Sequence, residues 1–333
     1  MAGRVGRPLS AATLLVAQAV SLGLILANLV IPGSAVFLDS FGSARLPFVY
    51  LLVAGAGSAV SALVNRLQSR FGLYQLAVGT TLVVAAVAAA CWALVANADQ
   101  RWASYIVLTL FAVQLQLGFV FIGAQAGRAF DVQQIKRVFP RIVGGFVFGF
   151  MVGGFLARPI LVLVDRAEHL LAVGALMAVV MALVMAATGR VLAEPEPAGD
   201  GEPASGPAAL DTDREGRPGP SFGELLAVPL VAAVFGYQLL SAMGTQLIEY
   251  LVYDRAAARY SGAEELAGFM GGFTAVLNLA DLLVLVLVGG LLMARYGLRF
   301  GVAANPLLVT VLVAAAIAVS TAAGTDSTAL FLL

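Results

Sequence analysis

Apolar residues along this chain come in long blocks, without the short alternation that marks a half-buried strand or a surface helix. Runs with little or no charge cover residues 9–38, 46–65, 71–98, 102–127, 142–164 and 170–189. A helix rises about 1.5 Å per residue and the hydrocarbon core of a bilayer is about 30 Å thick, so about 20 apolar residues cross it. All six runs reach that length. Residues 193–220 break the pattern: they are rich in Pro, Gly, Glu and Asp, a composition that predicts a flexible linker. Three further runs follow at 225–248, 266–294 and 300–323, and another apolar run opens at 328–333. The predicted fold is an all-α membrane bundle with a six-helix half at 1–190, a linker at 191–222 and an incomplete second half, three helices and a stub, at 223–333. Two six-helix halves would need twelve spans, so the expectation is either a shortened chain or helices supplied by a partner.

Composition narrows the functional classes. Hydrophobic residues make up 61% of the chain and charged residues 11%, against about 25% charged in an ordinary soluble domain, and mean hydropathy is +0.96. The 19 basic and 19 acidic residues balance, so no excess of charge points to nucleic acid. One cysteine, Cys91, and one histidine, His169, exclude an internal disulfide, a His-rich metal cluster and a Cys–His pair. Neither an enzymatic activity nor a cofactor is expected. His169, beside Glu168 in the short connection after the fifth run, is expected to be solvated.

Where the basic residues fall predicts orientation, because they collect in cytoplasmic loops. With the N-terminus inside, only Arg45, Arg101, Arg158, Arg166, Arg255 and Arg259 of the 19 lie outside. The linker is then cytoplasmic as well.

An internal repeat joins the halves. Residues 67–73 and 292–298 share Leu-x-x-Arg-aromatic-Gly-Leu, each copy following the second helix of its half. Arg70 and Gly72 belong to the first copy. The second, from Gly290 through Arg295 and Gly297 to Arg299, resembles the Gly-x-Leu-Ala-Asp-Arg-x-Gly-Arg-Arg loop of the major facilitator superfamily, with Ala294 where that family has aspartate. In the fifth run Gly145, Gly149 and Gly153 stand four residues apart, with Gly154 beside the last. Such a face lets another helix approach closely. It also resembles the superfamily's helix-five antiporter signature, with Phe150 in place of the proline. Within the superfamily the chain is most similar to the ATP:ADP antiporter (nucleotide transporter) family and its bacterial relatives, on residues 130–140, 253–260 and 264–273 and on the approach to Asn278.

The resemblance implies a secondary transporter working by alternating access, an antiporter by analogy with ATP:ADP exchange, in a bacterial plasma membrane. A small solute, a nucleotide among the candidates, and the lipid bilayer are the implied partners. Charge placement bears on the solute. A polyphosphate calls for Lys or Arg near the midplane, but Lys136, the single lysine, falls in a loop by this reading and Arg158 lies near the outer end of its span. A neutral, zwitterionic or lipid-like solute fits better.

Polar side chains in hydrocarbon are costly unless they face one another or a cavity. Asp281, with Asn278 three residues earlier, lies mid-run and could carry a proton. Glu249 ends the seventh run, with Gln246 and Gln238 near one stripe. Gln18 and Asn28 in the first run and Gln114 and Gln116 in the fourth complete the set of pathway candidates. The resembled superfamily lines its cavity with helices one, four and seven. The competing reading is a membrane scaffold or sensor on a degenerate transporter core.

Overall fold

The computed structural model describes residues 6–68, 70–192, 223, 226–286, 311, 314–315 and 318. Among them are eight helices long and apolar enough to cross a membrane. They are α1 (Gly6–Phe41), α2 (Leu46–Gln68) after a 3-10 turn at Ser43–Arg45, α3 (Leu73–Ala98), α4 (Ala103–Ala129), α5 (Val132–Val164), α6 (His169–Leu192), α7 (Pro229–Arg259) and α8 (Ala263–Val284). Among the described residues the fold is thus all-helical and of membrane-spanning character. The predicted linker from residue 193 onward, the stub and most of the run at 300–323 lie outside the described residues, as do Gly290, Arg295, Gly297 and Arg299, while residues 191–192 continue α6.

Two helices outrun their apolar stretches. α5 begins ten residues before the predicted run, because Asp131 supplies a helix start. Its Oδ1 accepts from the backbone N–H groups of Gln133 (2.9 Å) and Gln134 (2.8 Å), and Gln134 Oε1 accepts from the Asp131 N–H in return. Lys136, expected in a loop, is therefore helical. α7 runs past Glu249 to Arg259, since a single carboxylate with local partners does not interrupt a helix. Its last turns are anchored by Asp254, as described below.

α1 is the axis of the bundle. It packs against α4, α5, α6 and α8; α3 lies against α6 and α4, and α2 lines the edge of α4. Leu15, Leu22, Ile25, Leu26 and Leu29 of α1 are wholly buried. A helix with most of its apolar surface buried against its neighbours needs them close, and glycine lets them approach.

Gly23 of α1 and Gly149 of α5 face each other so closely that a Cβ on either would overlap backbone of the opposite helix, the Phe146 carbonyl in one case and the Val20 carbonyl in the other. A Cβ on Gly153 would lie 2.5 Å from Ala27 Cβ, and one on Gly145 3.1 Å from Val16 Cγ1. The glycine face read from the sequence is thus the seat of α1. Gly154, one residue and about 100° further round, faces α8 instead: its Cβ would meet the Gly271 carbonyl oxygen at 2.8 Å. α5 is wedged between α1 and α8 through two separate glycine contacts.

Successive helices alternate in direction, so Asp39, Asp99, Arg166 and Gly262 gather at one end of the bundle, which we call distal. Gly42 (φ 70°) and Gly262 (φ 93°) make tight turns there in backbone conformations that favour glycine.

α7 differs from the rest. From Pro229 to Ile248 most residues are exposed, whereas Tyr253 and Ala256 are buried. It leans on the 3-10 turn, α1 and α8 through its distal third.

Candidate functional site

The polar residues of the spans sort into three groups. In the first, Gln18 of α1 donates through Nε2 to Gln125 Oε1 of α4 (3.0 Å) and to Thr188 Oγ1 of α6 (2.7 Å). All three residues are fully buried. Gln18 Oε1 and Gln125 Nε2 are buried and have no hydrogen-bond partner. A half-satisfied amide pair in an apolar core is costly, and its position toward the end where the chain begins makes it a lock between three helices. Nearby, Gln114 Nε2 points at Met181 Sδ (3.9 Å) and Thr81 Oγ1 at Met185 Sδ (3.5 Å), contacts that tie α4 and α3 to α6.

The second group lies at the distal end. Arg101 pairs with Asp39 (2.9 Å) and Asp99 (3.0 Å), and Arg166 with Glu168 (2.5 Å). These charges surround a cavity of about 220 Å3 that also touches Gly262 and Glu264. The hydrogen bond to Asp99 raises the pKa of Arg101 above its already high ordinary value. His169 differs from expectation here. It opens α6, is half-buried, and its Nδ1 accepts from Trp92 Nε1 at 3.1 Å. The partly buried indole of α3 thus takes the imidazole nitrogen as its acceptor and ties α3 to the start of α6.

The third group forms a cavity of about 270 Å3 between α1, α2, α4 and α7. Glu249, Gln246 and Tyr253 of α7 line one side, Tyr50 and Val53 of α2 another, and Leu108 and Phe111 of α4 a third. Glu249 and Tyr253 stand one helical turn apart on the same face of α7 and line the same cavity, and Tyr253 lies within electrostatic range of Glu249 and close to Ser34 of α1, whose own hydroxyl donates to the Val30 carbonyl of its helix (2.6 Å). The Tyr50 hydroxyl is buried without a hydrogen-bond partner and lies within electrostatic range of Glu249. Tyr253, 8% exposed, closes the distal side, and the exposed Gln246 marks the opposite approach. A larger furrow of about 800 Å3 runs along the edge of α5 and α8 past Arg158 and Phe269. Its charged groups Arg158, Asp165, Glu264 and Glu265 are exposed, whereas the cavity beside α7 sets a carboxylate among aromatic and apolar side chains between four helices, so the latter is the better candidate.

The remaining pathway candidates are scattered. Asn28 is buried and donates to the Leu24 carbonyl of its own helix, and Asn278 does the same to Thr274. Asp281 is exposed, as is Gln238. Gln116, also exposed, bonds Ser61 Oγ of α2 at 3.0 Å. In the loop after α2, Arg70 is exposed and Gly72 is the residue before the first turn of α3. Tyr50, Tyr253 and Ser34 were not singled out from the sequence. A tyrosine at the end of an apolar run reads as an interfacial anchor, although the four-residue spacing of Glu249 and Tyr253 is a signal that the two share a face.

No family model matches this chain, and neither a curated protein nor a solved structure is detectably similar to it.

Proposed function

We propose that this chain is the membrane core of a secondary transporter of the major facilitator type, working by alternating access with its N-terminus in the cytoplasm. The observation that carries the reading is the half-open cavity holding Glu249, bounded by the buried Tyr253 at the distal end and approached from the side of the exposed Gln246. Helices one, four and seven all contribute to it, the set that lines the cavity in the resembled superfamily. Support also comes from α7, whose contacts with the other described helices lie near its distal end and whose residues from Pro229 to Ile248 are mostly exposed. That is the arrangement of a path closed outside and open inside, and rocking about the distal contact would reverse it.

Glu249 is better placed than Asp281 to bind a solute or an exchanged ion, because it lines a cavity between helices whereas Asp281 is exposed. A nucleotide fits this cavity poorly: its lining carries one carboxylate and, among the described residues, neither Lys nor Arg. Exchange of solutes, the mode of the resembled antiporters, is the proposed coupling. The test is counterflow in proteoliposomes loaded in turn with amino acids, organic cations, nucleosides and nucleotides. Labelled solute of at least one class should accumulate above protein-free liposomes, and Glu249→Gln should abolish it. Protein that is folded but moves none of these classes would favour the scaffold reading.

A further inference from the structure

The cavity beside α7 has the chemistry of a cation site, and from it we infer that the chain binds a small organic monocation, an amine or quaternary ammonium, with Glu249 as its counter-ion. This rests on the proposed assignment of the cavity as the solute site. Three aromatic residues line it together with the carboxylate: Tyr50 from α2, Phe111 from α4 and Tyr253 from α7. Aromatic faces attract cations through their quadrupole, most strongly where water is excluded. A bare ammonium or metal ion would need several oxygen ligands to replace its hydration shell. A methylated ammonium is weakly hydrated and needs mainly apolar and aromatic surface, which is what Val30, Val49 and Val53 add.

The polar groups agree in sign. Among the described residues the lining carries Glu249 as its one formal charge, and the hydroxyl of Tyr50 and the amide of Gln246 are available to a second polar group on the ligand, such as an alcohol. Tyr253, one turn along α7 from Glu249, sets an aromatic ring beside the carboxylate on the same wall. A volume of about 270 Å3 accepts a molecule of choline size and is below the roughly 300–1,000 Å3 of sites for drug-sized ligands.

The experiment uses the full chain in lipid nanodiscs with choline as the probe and 3,3-dimethylbutan-1-ol, its uncharged isostere, as the control. Thermal unfolding and calorimetric titration are followed for the wild type, Glu249→Gln and Glu249→Asp. Choline should stabilise the wild type saturably, the alcohol should not, and Glu249→Gln should weaken choline at least tenfold while Glu249→Asp retains measurable binding. Should Glu249→Gln not fold, Phe111→Leu carries the test, since it keeps the carboxylate and removes one aromatic face, and it should weaken choline severalfold. Equal binding of choline and the alcohol, unchanged affinity in the variants, or no saturable response to choline would overturn the inference. Binding is read without flux, so its failure leaves counterflow of other solutes open, whereas binding without flux would count against transport alone.

Discussion

Ser43, in the turn between α1 and α2, donates a 2.6 Å hydrogen bond to Asp254 Oδ1 of α7, 211 residues further along the chain. It ties the corner of the first six helices to a helix that has few other contacts with them. Partly buried bonds to a charged acceptor contribute about 1.5–3 kcal/mol. Asp254→Ala should therefore speed amide hydrogen exchange across residues 249–260 by roughly tenfold or more and leave α3 and α6 unchanged. Uniform acceleration in all helices would mean that the bond is part of the general fold and not a local clasp.

The α1–α5 contact gives a prediction in which the sign depends on position. Gly149→Ala places a methyl group against the Val20 backbone, and overpacking of this kind costs about 1–3 kcal/mol. Gly123→Ala, on α4, meets nothing within 4 Å and gains about 0.5–1 kcal/mol from helix propensity. Thermal midpoints should move in opposite directions. If both substitutions are neutral, α1 and α5 are not in contact as described.

The Gln18–Gln125–Thr188 lock is testable by a double-mutant cycle. Gln18→Leu alone leaves Gln125 Oε1 without its donor, and Gln125→Leu alone leaves Gln18 Nε2 with only Thr188. Side-chain hydrogen bonds between membrane helices average about 0.6 kcal/mol, with a maximum of about 1.7. A coupling in that range is expected from unfolding in mild detergent, and the double variant should be more stable than the sum of the singles implies. Strict additivity would show that the two amides do not interact.

Arg101 sets a pH expectation. Its pKa is raised in the folded chain, first by the hydrogen bond to Asp99, so its contribution is complete below the unfolded arginine value and fades only above it. The stability difference between wild type and Arg101→Gln should therefore stay constant from about pH 7 to about pH 10. It should also be below about 1 kcal/mol, because Arg101 and its partners are partly exposed. A difference that shrinks within that window would contradict this account of the pair.

Much of the fold is legible in the sequence because bilayer thickness sets helix length. The eight described helices coincide with predicted apolar runs, and the glycines of α5 mark a helix seat correctly because a missing Cβ has no other evident use there. Boundaries were misread where polar chemistry extended a helix, at Asp131 and beyond Glu249. The cavity was half legible: Glu249 and Gln246 stand out as polar residues near apolar runs, whereas Tyr50 and Ser34 become meaningful only once α1 and α2 bring them to α7. Pairings such as Gln18 with Gln125 depend on which helix faces share the core, and hydropathy does not encode that.

The proposed rocking of α7 against the first six helices can be tested without knowing the solute. Spin labels at Gln68, the end of α2, and Leu230, near the start of α7, both exposed, report the opening opposite the distal clasp when placed in a Cys91→Ala background. Pulsed electron resonance in lipid nanodiscs should give two distance populations, with the shorter enriched by Asp254→Ala as the clasp is released. A single distance that Asp254→Ala leaves unchanged would contradict alternating access in this chain.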